Sequence, residues 1–261
     1  MQRGWQALQY DVKTAFLYGP LDVDIYIQRP DGFEEGDNTI VCKLERSLYG
    51  LRQAPYVSNQ TLHAKRSTLG FTRIEKDCGL YAVKEDSEIK ILITVYANDL
   101  VLIGPGDLCN RVAMKKKDDF QLTSLGEVKV LLGVEINIDR QQKRITFSQR
   151  QYIKEILLRF HMATCNGAKT PEPSTVLQGA LGYLVAGTRP DIAHAVRRLG
   201  QFLAKFDVTH YALGKHVLWY LKSTVDYGLV MDVKMDRKVA LALYTDADYA
   251  NDPVDRKSIS G

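Results

Sequence analysis

The feature that most constrains this chain is the stretch IKILITVYANDLVLIG at residues 89–104. Ile91, Leu92, Ile93 and Val95 form one apolar run, and Leu100, Val101, Leu102 and Ile103 form another. Two short apolar runs rich in β-branched residues, divided by a few small or polar ones, define a buried β-hairpin. Its tip is Tyr96-Ala97-Asn98-Asp99. A carboxylate there is costly without a partner, and Asp is a natural oxygen ligand for Mg²⁺. Asn-Asp is also ordinary turn chemistry, because both side chains hydrogen-bond the local backbone. This stretch alone leaves the two readings evenly balanced.

A second stretch, QYDVKTAFLYG at residues 9–19, shifts that balance. Tyr10-Asp11-Val12 has the character of a strand with an acidic residue inside it, running through Ala15-Phe16-Leu17 to a turn at Gly19-Pro20. Asp11 and Asp99 are too distant in sequence for a local contact. If their strands pair in one sheet, both carboxylates reach one site. Two-metal phosphoryl transfer needs such carboxylates, holding ions about 3.5–4 Å apart.

Bulk properties narrow the rest. A chain of 261 residues can bury a sizeable core and hold one to two domains. The net charge of +4 is compatible with nucleic acid without demanding it. Cys42, Cys78, Cys109 and Cys165 lie far apart with no CxxC spacing. They fit reduced thiols of an intracellular protein, cytoplasmic or nuclear and not secreted, rather than a zinc site or disulfide framework. No apolar run approaches the ~20 residues of a membrane span, and the first residues carry no signal-peptide core.

Along the chain, strands are expected at 24–28 and 39–44 and a helix at 57–69, introduced by Leu48–Pro55. A strand at 77–83 should join the central hairpin. Leu108, Val112 and Phe120 share one helical face within 106–121, with Lys115-Lys116-Lys117 opposite. That lysine run reads first as solvated surface and second as a phosphate contact. A turn and strand follow at 125–135, with a partner strand at 144–147. Ser148 and Gln151 have the spacing of a capping box, opening a helix with Ile153, Ile156, Leu157 and Phe160 on one face. Residues 167–174 read as a linker. Pro190 and Asp191 suit the start of a helix carrying Val196, Leu199 and Leu203, followed by one carrying Leu213, Val217 and Leu221. Arg197 and Arg198 fit solvated surface at least as well as phosphate contacts. Strands are expected at 229–233 and 239–245.

Seven blocks occur in order: QYDVKTAFLYG, SLYGLRQAP, VYANDLVLIG, SLGEVKVLLGVEI, FSQRQYIKEIL, GTRPDIAHAV and YTDADYAND. Together they resemble the reverse transcriptase of copia-type retrotransposons running into its ribonuclease H domain. The resemblance covers nearly the whole chain. It implies an α+β fold: a right-hand polymerase palm with a mostly antiparallel sheet and helices on one face, a helical thumb and connection, and a truncated ribonuclease H-like fragment. The expected divisions are 1–148 for the palm with partial fingers, 149–226 for the thumb and connection, and 227–261 for the ribonuclease H start.

The implied activity is RNA-directed DNA polymerisation on an RNA or DNA template with primer, from deoxynucleoside triphosphates, within a longer polyprotein and off the membrane. Two Mg²⁺ ions, or Mn²⁺, are the implied cofactors. Asp11 and Asp99 would ligate them with the Val12 main-chain carbonyl. Phe16 would stand against the sugar 2′-position, and Gln53 beside the incoming nucleotide. Phe16 reads equally as a core aromatic, and Gln53 as a helix-start residue. Asp246 falls where the ribonuclease H module has its first metal-binding Asp, and no ribonuclease H activity is expected from that one carboxylate.

The sequence departs from the family in several places. The family reads Tyr-x-Asp-Asp at the hairpin, and Asn98 replaces the first Asp. Ser58 stands where a Trp is usual, and the resemblance leads one to expect loss of the basic fingers segment ahead of the first strand and a shortened stretch after the linker. These departures imply an impaired copy, with a non-catalytic remnant that at most binds nucleic acid as the alternative.

Overall fold

The computed structural model describes residues 3–30, 32, 41–96, 98–117, 121–163, 174–202, 208–232, 247–248 and 259–260. In chain order these contain β1 (Gln6–Val12), a 3-10 turn (Ala15–Tyr18), β2 (Tyr26–Ile27), β3 (Cys42–Lys43), α1 (Ala54–Ser67), β4 (Thr72–Ile74), β5 (Asp77–Glu85) and β6 (Glu88–Tyr96). Then come β7 (Asp99–Gly104), α2 (Gly106–Lys117), β8 (Leu122–Glu127), β9 (Val130–Leu131), β10 (Val134–Asp139) and β11 (Arg144–Ser148). The remainder is α3 (Arg150–Arg159), α4 (Ser174–Gly187), a 3-10 turn (Pro190–Ile192), α5 (Ala193–Gln201), α6 (Val208–Ser223), β12 (Gly228–Asp232), β13 (Ala247–Asp248) and β14 (Ile259–Ser260).

The fold is mixed α and β, and among the described residues the strand pairs are antiparallel. The main sheet has six strands in the order β4-β5-β6-β7-β1-β8. The expected hairpin is β6–β7, with Leu92 opposite Ile103 and Thr94 opposite Val101. Its period of two sends alternate side chains to opposite faces. Tyr10, Val12, Ile91, Ile93, Leu100 and Leu102 are buried on one face, packed with Phe71 and with Cys109 and Ala113 of α2. Residue α1 His63 reaches Tyr81 on the same side at 3.2 Å. On the other face Ala7, Val101 and Ile103 look across a cavity of about 490 Å³ to Ile136, Ile138, Ile145 and Phe147 of a second sheet.

That second sheet runs β12-β11-β10-β9. Leu229 of β12 pairs with Phe147, so the strand after α6 returns to one laid down about eighty residues earlier. Helices α3–α6 surround their own core, which includes Ile153, Ile156, Leu181, Leu184, Leu199 and Leu221.

Several local expectations need correction. Helix α1 begins at Ala54, three positions before the expected start, and β2 and β3 are shorter than the expected strands. The 125–135 stretch divides into the end of β8, β9 and the start of β10. The capping box does not form: Gln149 is the N-cap of α3, with no side-chain cap hydrogen bond. Instead Glu135, on β10, accepts from the Gln151 backbone N–H at 2.8 Å and from the Ser148 hydroxyl at 3.2 Å. A carboxylate from the neighbouring strand thus does the capping, and it also suits the positive end of the helix dipole. Helix α4 arises in a stretch that the sequence reading leaves without an element. Phe120, Leu203 and the whole of the expected 239–245 strand lie outside the described residues.

Candidate active site at the hairpin tip

Strand β1 pairs with β7 in a register that sets Asp11 directly opposite Asp99. The two carboxylates therefore meet at one end of the main sheet, where directly opposed side chains stand about 4.5–5.5 Å apart at Cβ. The Val12 N–H donates to the Asn98 carbonyl at 2.9 Å, which ties the hairpin tip to the end of β1. Among the described residues neither Asp11 nor Asp99 has a cationic partner.

Two neutral side chains reach this tip. Gln9, buried on β1 two residues before Asp11, donates from Nε2 to Asp99 Oδ1 at 3.2 Å. Asn98 donates from Nδ2 to the Tyr49 hydroxyl at 3.0 Å, and Asn98 Oδ1 is left buried without a partner.

The arrival of Tyr49 follows from close packing nearby. The Ser47 N–H donates to the Gly19 carbonyl at 3.0 Å, and Pro20 bridges Arg46. At Gly19 a Cβ would sit 2.6 Å from Val57 Cγ1, so only glycine lets α1 lie this close to the segment after β1. These contacts bring residues 46–53 to the end of the sheet that carries Asp11. Gln53 stands just before α1, and its main-chain carbonyl accepts from the Val57 N–H at 3.0 Å.

Val12 is fully buried and ends β1. Phe16 lies in the 3-10 turn that follows, with its side chain outside the described set. That turn is fixed to the start of β8, because Lys13 N–H donates to the Gln121 carbonyl at 2.9 Å and Gln121 N–H to the Tyr18 hydroxyl at 3.0 Å. Asp246 lies outside the described residues.

No group of three or more His, Cys, Asp or Glu side chains gathers into a metal site among the described residues. The donor set at the tip is instead two carboxylates, one amide oxygen and main-chain carbonyls. All are hard oxygen donors of the kind Mg²⁺ takes. The orphaned Asn98 Oδ1 fits such an ion, since a buried acceptor without a donor is otherwise unfavourable. Cys109, the buried thiol of α2, plays no part here: burial pushes it up to about 11, the range of an inert core cysteine.

Gln9 and Tyr49 were not singled out by the sequence reading. Gln9 could have been found, because position i−2 on a strand shares the face of Asp11. Tyr49 had no such signal beyond its membership of the SLYGLRQAP block.

Residues 1–174 match the family of reverse transcriptases, RNA-dependent DNA polymerases. The chain is 32% identical, over 97% of its length, to the retrovirus-related Pol polyprotein from transposon TNT 1-94 of Nicotiana tabacum. It is 33% identical, over its whole length, to the Pol polyprotein from transposon RE1 of Arabidopsis thaliana. It spans 21% and 19% of these two relatives. A transposon Ty5-1 protein of Saccharomyces cerevisiae is 30% identical over 92% of the chain, which covers 83% of that protein. The chain belongs to the reverse transcriptase family of copia-type retrotransposon Pol polyproteins.

Proposed function

We propose that the hairpin tip is a two-metal nucleotidyl-transfer site for RNA- or DNA-templated DNA synthesis, impaired in this copy at residue 98. The observation that carries this reading is the register that opposes Asp11 to Asp99. Asp11, Asp99 and the Val12 carbonyl would hold the ions, and Asn98 would offer an amide oxygen in place of a carboxylate. When bound, Mg²⁺ or Mn²⁺ supplies a lowered pKa for the primer 3′-hydroxyl and charge stabilisation for the leaving pyrophosphate. Phe16 stands against the sugar 2′-position of the incoming deoxynucleoside triphosphate, and Gln53 beside its base and the template. Residues 1–148 act as the palm with partial fingers, 149–226 as thumb and connection, and 227–261 as the start of a ribonuclease H-like module. The chain works as one part of a longer polyprotein.

Asn98 also favours a second reading, a non-catalytic remnant that binds template–primer. Losing a full charge from a two-metal site costs on the order of a thousandfold in rate. Primer extension on an RNA template, with Mg²⁺ and with Mn²⁺, tests both readings by comparing the chain with Asn98→Asp. The expected result is at most a trace from the chain and clear extension from the variant. Equal extension by both would overturn the impairment. No extension from either, with salt-dependent binding to duplex, would favour the remnant.

A further inference from the structure

We infer that Tyr49 and Gln9 are positioning residues for the cation-holding pair at the hairpin tip, an assignment that rests on the two-metal reading. The two oxygens of a carboxylate are equivalent, but the two ends of an amide are not. Only Oδ1 of Asn98 can face a cation, and its NH₂ would oppose one. The orientation of residue 98 therefore matters more in this chain than it would with Asp there. Tyr49 sets that orientation. Its hydroxyl takes the Nδ2 donor at 3.0 Å and leaves Oδ1 as the buried, unpartnered end.

The same hydroxyl both donates and accepts. With Asp at position 98 either carboxylate oxygen could face the cation, whatever Tyr49 does. Tyr49 thus accommodates either residue, but it is needed for cation binding only with the amide.

Gln9 acts on the other member of the pair. Its Nε2 fixes Asp99 Oδ1 at 3.2 Å, which leaves Oδ2 for a ligand. A lysine or arginine in its place would neutralise the carboxylate and compete with a cation. A buried amide holds the geometry and leaves the negative charge available.

The test is Mn²⁺ affinity of the full chain, read by electron paramagnetic resonance of the free ion, with thermal melts beside it. Tyr49→Phe removes one oxygen from a side chain that is 54% exposed, so the fold should survive with its melting temperature unchanged. It should weaken Mn²⁺ binding about three- to tenfold in the Asn98 chain, the range of one lost hydrogen bond. In the Asn98→Asp background the loss should be about twofold or less, because either carboxylate oxygen can ligate. Gln9→Leu should weaken binding in both backgrounds. A general structural defect would not follow the identity of residue 98. If Asp11→Asn and Asp99→Asn weaken binding and Tyr49→Phe does not, the positioning role is overturned and the two-metal reading stands. If Asp11→Asn leaves Mn²⁺ binding unchanged, the two-metal reading falls and the positioning role with it.

Discussion

At residue 98 an amide stands beside the opposed carboxylates of Asp11 and Asp99. Its difference from a carboxylate has a thermodynamic consequence apart from rate. Asn98→Asp would crowd a third carboxylate beside Asp11 and Asp99, which opposed strand positions already hold together. Like charges at such range repel, so the variant should melt below the parent chain in EDTA. A divalent ion reverses this by mass action, since a ligand that binds only the folded state stabilises it by about 2.7 kcal/mol at a hundredfold excess over its Kd. In a chain of this size that is several degrees in Tm. Differential scanning fluorimetry with and without Mg²⁺ should show a larger gain for Asn98→Asp than for the parent. Equal gains would mean that the ion is not held at residue 98. That the two aspartates would share one end of a sheet was legible only on condition that their strands pair, which the register of β1 on β7 meets. Their two supports were not legible. Gln9 meets Asp99 only through the register of β1 on β7, and Tyr49 arrives only because Gly19 admits α1 and the loop before it.

Among the elements, α4 is the instructive omission. STVLQGALGYLVAG has no charged residue, so the polar face that marks an amphipathic helix is missing. Glycines at 179, 182 and 187 read as breakers, each costing about 1 kcal/mol against alanine in a helix. Burial overrides that cost, because Leu177, Leu181 and Leu184 go into the helical core. The glycines are not equivalent. A Cβ at Gly179 or Gly182 meets nothing within 4 Å, whereas one at Gly187 would lie 2.3 Å from Gln149 Oε1. Gln149 is fully buried and accepts from the Thr188 hydroxyl at 3.0 Å, so it cannot easily withdraw. Gly182→Ala should therefore stabilise by roughly 0.5–1 kcal/mol, and Gly187→Ala should destabilise. Chemical denaturation of both variants decides it, and stabilisation by both would mean that Gln149 moves freely. The cap of α3 was illegible for a different reason. Its acceptor, Glu135, comes from another strand, and local spacing pointed to Ser148. Glu135→Ala should cost about 0.5–2 kcal/mol, the usual value of a lost cap. Ser148→Ala should cost less, since the Gln151 N–H keeps its acceptor.

Across the whole molecule the β6–β7 hairpin follows the sequence pattern, because it depends on local periodicity. The second sheet does not, since β12 reaches β11 only after four helices have intervened. What fixes the end of that helical path is Arg189, at 1% exposure. It grips Asp191 through Nε–Oδ1 at 2.9 Å and Nη2–Oδ2 at 2.7 Å, and donates to the Thr224 carbonyl at 3.0 Å and hydroxyl at 2.7 Å. The rings of Tyr220 and Tyr227 flank its guanidinium at 5.5 and 5.6 Å. The corner between α4 and α5 is thereby locked to the end of α6, immediately before β12 departs. Arg189→Met keeps the bulk but takes from Asp191 its ion-pair partner, leaving it the Tyr220 hydroxyl, and takes from the Thr224 carbonyl and hydroxyl their guanidinium donors. Removing one partner of a fully buried pair costs about 3–5 kcal/mol, and Asp191 is partly exposed, so about 2–3 kcal/mol is expected. The pin also has a pH signature. The Arg189 hydrogen bonds hold the Asp191 carboxyl below its ordinary value, against an opposing effect of burial. A carboxyl depressed in the folded state contributes stability above its unfolded pKa, about 3.9, and loses it as pH falls through the folded value. Stability should therefore erode from about pH 4 downward, and Asp191→Asn should flatten that limb while lowering stability at neutral pH. Denaturation curves from pH 7 to pH 2 measure both effects. Parallel limbs in parent and variant would show that the pin does not titrate with Asp191.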